Sequence, residues 1–189
     1  MRLFIALPLP EQIQEALSKI IRDLRQASAA VRWVDPHNIH LTLRFLGDTD
    51  PSLLPELKQL IDRVAQQQAS LTLGLNRLGA FPNLSKPRVY WISTADQAII
   101  ENLRNLAQRI ELDICKLGFQ AEGRPFKPHL TLGRLKQPHN VDRMAQAIKT
   151  YPIPTLRVQL SRIVLFQSTL TPKGAIYQSL HESPLGDER

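Results

Sequence analysis

Thiols are almost absent from this sequence: Cys115 is the single cysteine among 189 residues. One thiol cannot close an intrachain disulfide, and with no second cysteine there is no thiolate pair to hold zinc. A reducing cytoplasm is the expected compartment. Long apolar runs are missing too, since no stretch approaches the roughly 20 residues that a membrane-spanning helix needs. The opening MRLFIALPLP halts its apolar run at Pro8 and Pro10 and lacks a small-residue cleavage site, so it reads as a first buried strand and not as a secretory signal. No membrane partner is expected. Neither a G-x-x-x-x-G-K-[ST] loop nor a G-x-G-x-x-G turn occurs, which removes the usual cradles for nucleoside triphosphates and dinucleotides. Low-complexity tracts and tandem short repeats are likewise missing.

What is present is ordinary globular material with a basic bias. Apolar residues make up 43% and charged residues 22%, and 24 Lys and Arg face 17 Asp and Glu for a formal charge of +7. That balance favours anionic partners. Period-two apolar runs predict strands over Leu3 to Leu7, Val31 to Val34, Ile39 to Leu46, Leu71 to Phe81, Val89 to Ser93, His129 to Leu135, Leu156 to Ser168 and Ile176 to His181. Helical spacing predicts helices over Glu11 to Ala27, Ser52 to Gln68, Asp96 to Leu117 and Val141 to Thr150. Turn formers cluster at Gly47 to Pro51, Pro82 to Pro87, Glu122 to Pro125 and Thr171 to Gly174, none long enough to link independent domains. Mixed order with sequence-adjacent strands argues an α+β chain with antiparallel sheets.

One internal echo stands out. His40-Leu41-Thr42-Leu43 returns as His129-Leu130-Thr131-Leu132, nearly half the chain later. In a strand, residues two apart share a face, so each histidine sits beside its threonine while the leucines anchor the opposite face. If the halves are related lobes that face one another, two imidazoles and two hydroxyls line a common cleft. An unperturbed imidazole titrates near 6.5, so one ring can hold a proton while the other accepts one. That pairing suits in-line displacement at phosphorus without a metal: a neutral ring takes the proton of water, and an imidazolium returns one to the departing oxygen. Arg134, five residues after His129, is placed to grip phosphoryl oxygens, and Phe45, at the matching position after His40, is placed to stack on a base.

These motifs resemble the two-histidine phosphoesterase superfamily, and more closely its RNA 2′,3′-cyclic phosphodiesterases, historically called 2′-5′ RNA ligases. The resemblance runs through Arg2-Leu3-Phe4-Ile5-Ala6-Leu7, through Asn38-Ile39-His40-Leu41-Thr42-Leu43-Arg44-Phe45-Leu46-Gly47, and through Arg124-Pro125-Phe126-Lys127-Pro128-His129-Leu130-Thr131-Leu132-Gly133-Arg134. It implies an α+β fold of two antiparallel sheets, pseudo-twofold about a central cleft with helices outside, as one bilobal domain over residues 1–189. It further implies hydrolysis of RNA terminal 2′,3′-cyclic phosphate to a 2′-phosphomonoester, with His40 as general acid and His129 as general base. Thr42, Thr131 and Arg134 would bind phosphate oxygens and Phe45 the terminal base. The implied protein is a monomer acting on RNA 3′ ends or cyclic nucleotides, with no metal and no cofactor. Rival readings are a phosphodiesterase or reversible ligase at 2′-5′ linkages or small cyclic nucleotides, and an RNA-end binding module without turnover.

Each remaining candidate has a plainer role. His37 and His40 invite a metal reading, but Pro36 and the period-two run exclude the helix that would bring an i,i+3 pair to one face, and no carboxylate or thiolate shell accompanies them. Arg44, Arg124 and Lys127 flank the motifs as surface charges or structural donors that add positive field. Trp33 and Trp91 are assigned to packing, His139 and His181 to exposed loop and strand, and Cys115 to a helix core.

Overall fold

Amphipathic stripes and alternating strands account for most of the elements. The computed structural model describes residues 1–28, 30–172 and 174–186. Helix α1 (Glu11–Arg25) buries Ile13, Leu17, Ile20, Ile21 and Leu24, which fall on one stripe at helical spacing. Helix α2 (Leu54–Gln66) does the same with Leu57, Leu60, Ile61 and Val64, and α3 (Gln97–Lys116) with Leu103, Leu106, Ile110 and Ile114. Asp96 starts α3 by accepting from the amides of Ala98 (2.9 Å) and Ile99 (3.3 Å), so the helix begins one residue later than its sequence pattern suggested. The fourth, α4 (Val141–Thr150), buries Met144 and Ile148. No helix among the described residues is long and apolar enough to cross a membrane.

The strands are β1 (Arg2–Pro8), β2 (Val31–Trp33), β3 (His40–Asp48), β4 (Leu71–Leu75), β5 (Arg77–Phe81), β6 (Val89–Ser93), β7 (Leu130–Leu135), β8 (Leu156–Leu160), β9 (Arg162–Thr171) and β10 (Gly174–Pro184). Antiparallel pairing gives the order β10-β9-β1-β3-β7-β6-β5, with β2 also on β7, and a separate β4–β8 ribbon. Reading outward from the middle, β3, β1 and β9 on one side answer β7, β6 and β5 on the other. Among the described residues the two halves of this sheet are joined in its ladder by a single residue pair, Leu41 opposite Leu130, where the repeated motifs lie. Helices α2 and α3 pack on the β3–β10 half, and α1 and α4 belong to the other. One cluster of buried side chains, including Leu7, Leu41, Leu130 and Val158, runs through both.

Two predicted strands are each two strands in the structure. The run Leu71 to Phe81 breaks at Asn76, and the run Leu156 to Ser168 breaks at Ser161. Leu71–Leu75 pairs with Leu156–Leu160 in the ribbon, after which both chains leave for different partners, β5 for β6 and β9 for β1 and β10. Period-two hydropathy survives such a change of partner, because both segments remain buried on one face. Asn76 secures one corner: its amide donates to Ser93 O (3.0 Å) and its side chain accepts from the Ala95 amide (2.8 Å). The turn expected at Thr171 to Gly174 includes Lys173, which lies outside the described residues.

A polar clip holds the edge strand to its helix. Asp62 Oδ1 on α2 accepts from the Ser183 hydroxyl and from His181 Nε2 (2.7 Å), both on β10. His181 is therefore half-buried and partnered, and not the exposed strand residue that its position suggested. The hydroxyl, and then His181, hold the Asp62 carboxyl below its ordinary value of 3.8. A depressed carboxyl contributes stability that is present above 3.8 and lost as pH falls through the lower folded value. Asp62→Asn should thus lower stability by about 1 kcal/mol at pH 7, read as a lower urea midpoint, with the difference from wild type shrinking below pH 3.8. An unchanged midpoint at pH 7 would remove the clip from the account.

Candidate active site

The Leu41–Leu130 pair dictates what stands on the other face. Both leucines are essentially inaccessible, at 1% and 0%, and each contributes roughly 1.5–3 kcal/mol by its burial. Antiparallel register then sets Thr131 opposite His40 and His129 opposite Thr42, one step either side of that pair. The four side chains form a square on the face away from the leucine core, with the histidines on one diagonal and the hydroxyls on the other. All four are half-buried. No group among the described residues hydrogen-bonds either threonine hydroxyl, so both remain available to a ligand.

Each imidazole is held in the same way. His40 Nδ1 lies 2.8 Å from Asn38 O and His129 Nδ1 lies 2.6 Å from Lys127 O, in both cases the carbonyl two residues back. A carbonyl can only accept, so Nδ1 carries the hydrogen, and Nε2 is left as the free nitrogen. His40 stacks on Phe4 (centroids 4.7 Å apart) and meets Tyr177 edge-on (5.3 Å), while His129 meets Phe81 edge-on (4.9 Å). Burial pushes the His40 imidazole down to about 4, and the nearby His129 adds to the depression against the Asn38 carbonyl. Burial also lowers His129, with Arg134 adding to it. Both rings are therefore neutral at pH 7 in the free protein, His40 within electrostatic reach of His129 and His129 within reach of Arg134.

Spacing alone would turn Phe45 and Arg134 away from this square. Each follows its histidine by five residues, an odd number, which in a regular strand means the opposite face. Both strands correct the parity with a bulge. On β3 the register steps from Ile5–Arg44 to Ala6–Thr42, leaving Leu43 unpaired, and on β7 it steps from Tyr90–Gly133 to Trp91–Thr131, leaving Leu132 unpaired. Phe45 is thereby returned to the face of Phe4, with ring centroids 5.8 Å apart, and is 55% exposed. Arg134 is returned to the face of Thr131, close enough to lower both His129 and, in part, Tyr177.

The same shift sends Arg44 the other way. Its Nη1 donates to Phe45 O (2.8 Å) and to Glu122 Oε2 (3.2 Å), and its Nε stands 2.6 Å from Glu111 Oε2 of α3, a charge contact that lacks hydrogen-bond alignment. Arg44 thus braces β3 against α3. Lys127 lies at the cleft rim, Nζ 5.7 Å from the centre of Phe81. His37 is occupied elsewhere, its Nδ1 3.0 Å from Gln14 Oε1. Cys115 is half-buried, and its thiol, pushed up by burial and by Glu111, lies 3.7 Å from that carboxylate.

Several site neighbours were not foreseen. Trp91 packs as assigned but on the site face: it pairs with Thr131, lies tilted against Phe81 (centroids 5.2 Å apart) and sits over Gly79, where a Cβ would collide with the indole. Trp33 packs beside Tyr90 on the leucine side. Phe4, Phe81, Phe166 and Tyr177 complete the walls. Strand parity carries their signal: Phe4 pairs with Phe45 and Phe166, but those pairings become visible only once the strand order is known.

Comparison with known proteins gives a consistent picture. The family model described as LigT like phosphoesterase matches residues 7–91 and 94–177, stretches that contain one motif copy each. An RNA 2′,3′-cyclic phosphodiesterase of Methanothermobacter thermautotrophicus is 32% identical over 182 residues, covering 95% of this chain and 96% of that protein. Its namesake in Archaeoglobus fulgidus is 34% identical over 181 residues, covering 95% and 98%. Among solved structures, TT0787 of Thermus thermophilus superposes with a TM-score of 0.81 at 30% identity over 100% of both chains. Escherichia coli LigT complexed with 3′-AMP gives 0.76 at 28% identity over 97% of each.

The geometry makes a direct spectroscopic prediction. Long-range 1H–15N spectra at pH 7 should show both His40 and His129 as the Nδ1–H tautomer, with His40 titrating at about 4 and His129 below 6.5. A His40 midpoint at 6.5 or above would remove the burial argument.

Proposed function

The chain belongs to the LigT-like phosphoesterase family, and from that membership we propose that it hydrolyses the 2′,3′-cyclic phosphate at RNA 3′ ends to a 2′-phosphomonoester. The observation that carries this reading is the pair of Nδ1-anchored imidazoles set diagonally across the β3–β7 seam, each with a free Nε2. Two such nitrogens on either side of one phosphorus can handle the incoming and the outgoing proton of an in-line displacement.

The steps follow from the chemistry. Water attacks phosphorus and gives its proton to Nε2 of His129, while the P–O3′ bond breaks and O3′ takes the proton of His40 Nε2. Phosphate stays on O2′, and exchange with solvent returns each ring to its starting state. Thr42 and Thr131 donate to the non-bridging oxygens, and Arg134 balances the charge that builds on them. Phe45, exposed beside Phe4, offers a stacking face to the terminal base. His40 must carry the proton of the pair although burial holds its ring at about 4. The phosphodiester anion favours that charged form, because a negative charge beside the ring raises its proton affinity. The protein works as a cytoplasmic monomer in this reading, since one chain supplies both halves of the cleft and its lone thiol suits a reducing compartment.

With a cyclic-phosphate oligonucleotide in excess EDTA, wild-type protein should release a 2′-phosphate end, and His40→Ala and His129→Ala should each lose about 10²- to 10⁴-fold in rate. Undiminished conversion by both variants would sink the proposal. The pH profile is a second check. The free protein holds a single proton on the pair only between the His40 value of about 4 and a His129 value below 6.5. Hence kcat/KM should peak on the acid side of neutrality and fall as pH rises through 7, while kcat, which reports the substrate complex, should peak at higher pH. A kcat/KM that climbs steadily to pH 8 contradicts this ordering.

A further inference from the structure

A second anion site adjoins the first. Beyond Arg134 the β5–β6 turn, the end of β7 and the start of α4 enclose an open cavity of about 780 Å³, lined by Lys86, Arg88, Arg124, Arg134 and Lys136 with no carboxylate in its wall. That volume is nucleotide-sized. All five cations are exposed, and none forms a salt bridge among the described residues. Five unneutralised cations around one concavity raise the free energy of the folded protein by mutual repulsion, and an anionic occupant relieves it.

The wall is built, and not a chance meeting of flexible side chains. Asn83 Oδ1 accepts from the amides of Ser85 (3.0 Å) and Lys86 (2.9 Å), shaping the turn that presents Lys86. Arg88 is tied on both sides, its amide donating to Phe81 O (2.7 Å) and its carbonyl accepting from the Leu135 amide (3.0 Å). The Lys136 amide donates to Ala30 O (2.9 Å). The first turn of α4 reaches the same space through Val141, while Asp142 in that turn offsets the helix's positive end, so the cavity's charge rests on the five side chains. Arg134 belongs both to this cavity and to the reaction square.

We infer that this cavity binds the backbone phosphates of the RNA strand leading to the cyclic end, making the protein an end-processing enzyme for oligonucleotides in preference to mononucleotides. The inference rests on the function proposed above. A string of phosphodiesters is the occupant that the shared Arg134 favours, because one anionic chain must pass from this cavity to the reacting phosphorus.

The test compares a 2′,3′-cyclic mononucleotide with a ten-residue RNA ending in the same cyclic nucleotide, using wild type, Lys86→Gln/Lys136→Gln, and a control of equal charge, Lys19→Gln/Lys149→Gln. Wild type should favour the oligonucleotide in kcat/KM. The cavity variant should lose about tenfold on the oligonucleotide through KM and keep its mononucleotide rate. Its log KM against log salt slope should fall by about 1.4, the value for two phosphate contacts on a single strand. Equal rates of wild type on both substrates, or an equal loss in the control variant, would overturn the inference. If no cyclic phosphate is turned over at all, the proposed function fails first, which the mononucleotide arm reveals by itself.

Discussion

The proposed chemistry depends on one short hydrogen bond made twice, from an imidazole Nδ1–H to the carbonyl two residues before it. It does three things at once. It orients the ring, it assigns the proton to Nδ1, and it leaves Nε2 facing the cleft as the nitrogen able to exchange one. A strand that begins at or just after its histidine is what makes the bond available, because the residues before it, Asn38 at the end of a short 3-10 helix (Pro36–Asn38) and Lys127 in irregular chain, have carbonyls that are not consumed by the sheet. The leucine after each histidine then locks the strand into the core, so the ring is anchored from both sides of its own Cα.

Orientation would be useless without meeting, and the meeting is narrow. Among the described residues only Leu41 and Leu130 pair across the seam, yet that pair fixes the diagonal of histidines and the diagonal of hydroxyls. On either side of it the strands diverge, β3 toward β1 and β7 toward β6 and β2, which leaves room for a ligand between the halves. A longer seam would fill that room with cross-strand contacts. The cleft therefore exists because the pairing is short, and the chemistry is held in place because the pair is so thoroughly buried.

Much of this could be read in the sequence, and the exceptions share a cause. The four helices declared themselves by their stripes, and the histidines and threonines by repetition. The faces of Phe45 and Arg134 could not be derived from strand parity, which points both the wrong way; only the bulges at Leu43 and Leu132 restore them. In hindsight the odd spacing, found identically in both copies, was itself the sign that each strand must carry an extra residue. The strands broken at Asn76 and Ser161 were invisible for a related reason: hydropathy records that a face is buried, not which partner covers it. That the packed Trp91 stands on the site face shows only in the ladder, where its neighbour is Thr131.

The two halves, alike in backbone, differ in what their bulges deliver. On β3 the restored side chain is an exposed phenyl ring in a nest of Phe4, Phe166 and Tyr177. On β7 it is a guanidinium backed by Lys86, Arg88, Arg124 and Lys136. A symmetric pair of histidines cannot by itself tell one side of a phosphate from the other, since either ring could give or take the proton. The flanks break that tie. In the reaction proposed above, an aromatic wall that takes the base and a cationic wall that takes the anion would admit a terminal nucleotide in one sense only, and entry in one sense would assign the leaving oxygen to one ring and the water to the other.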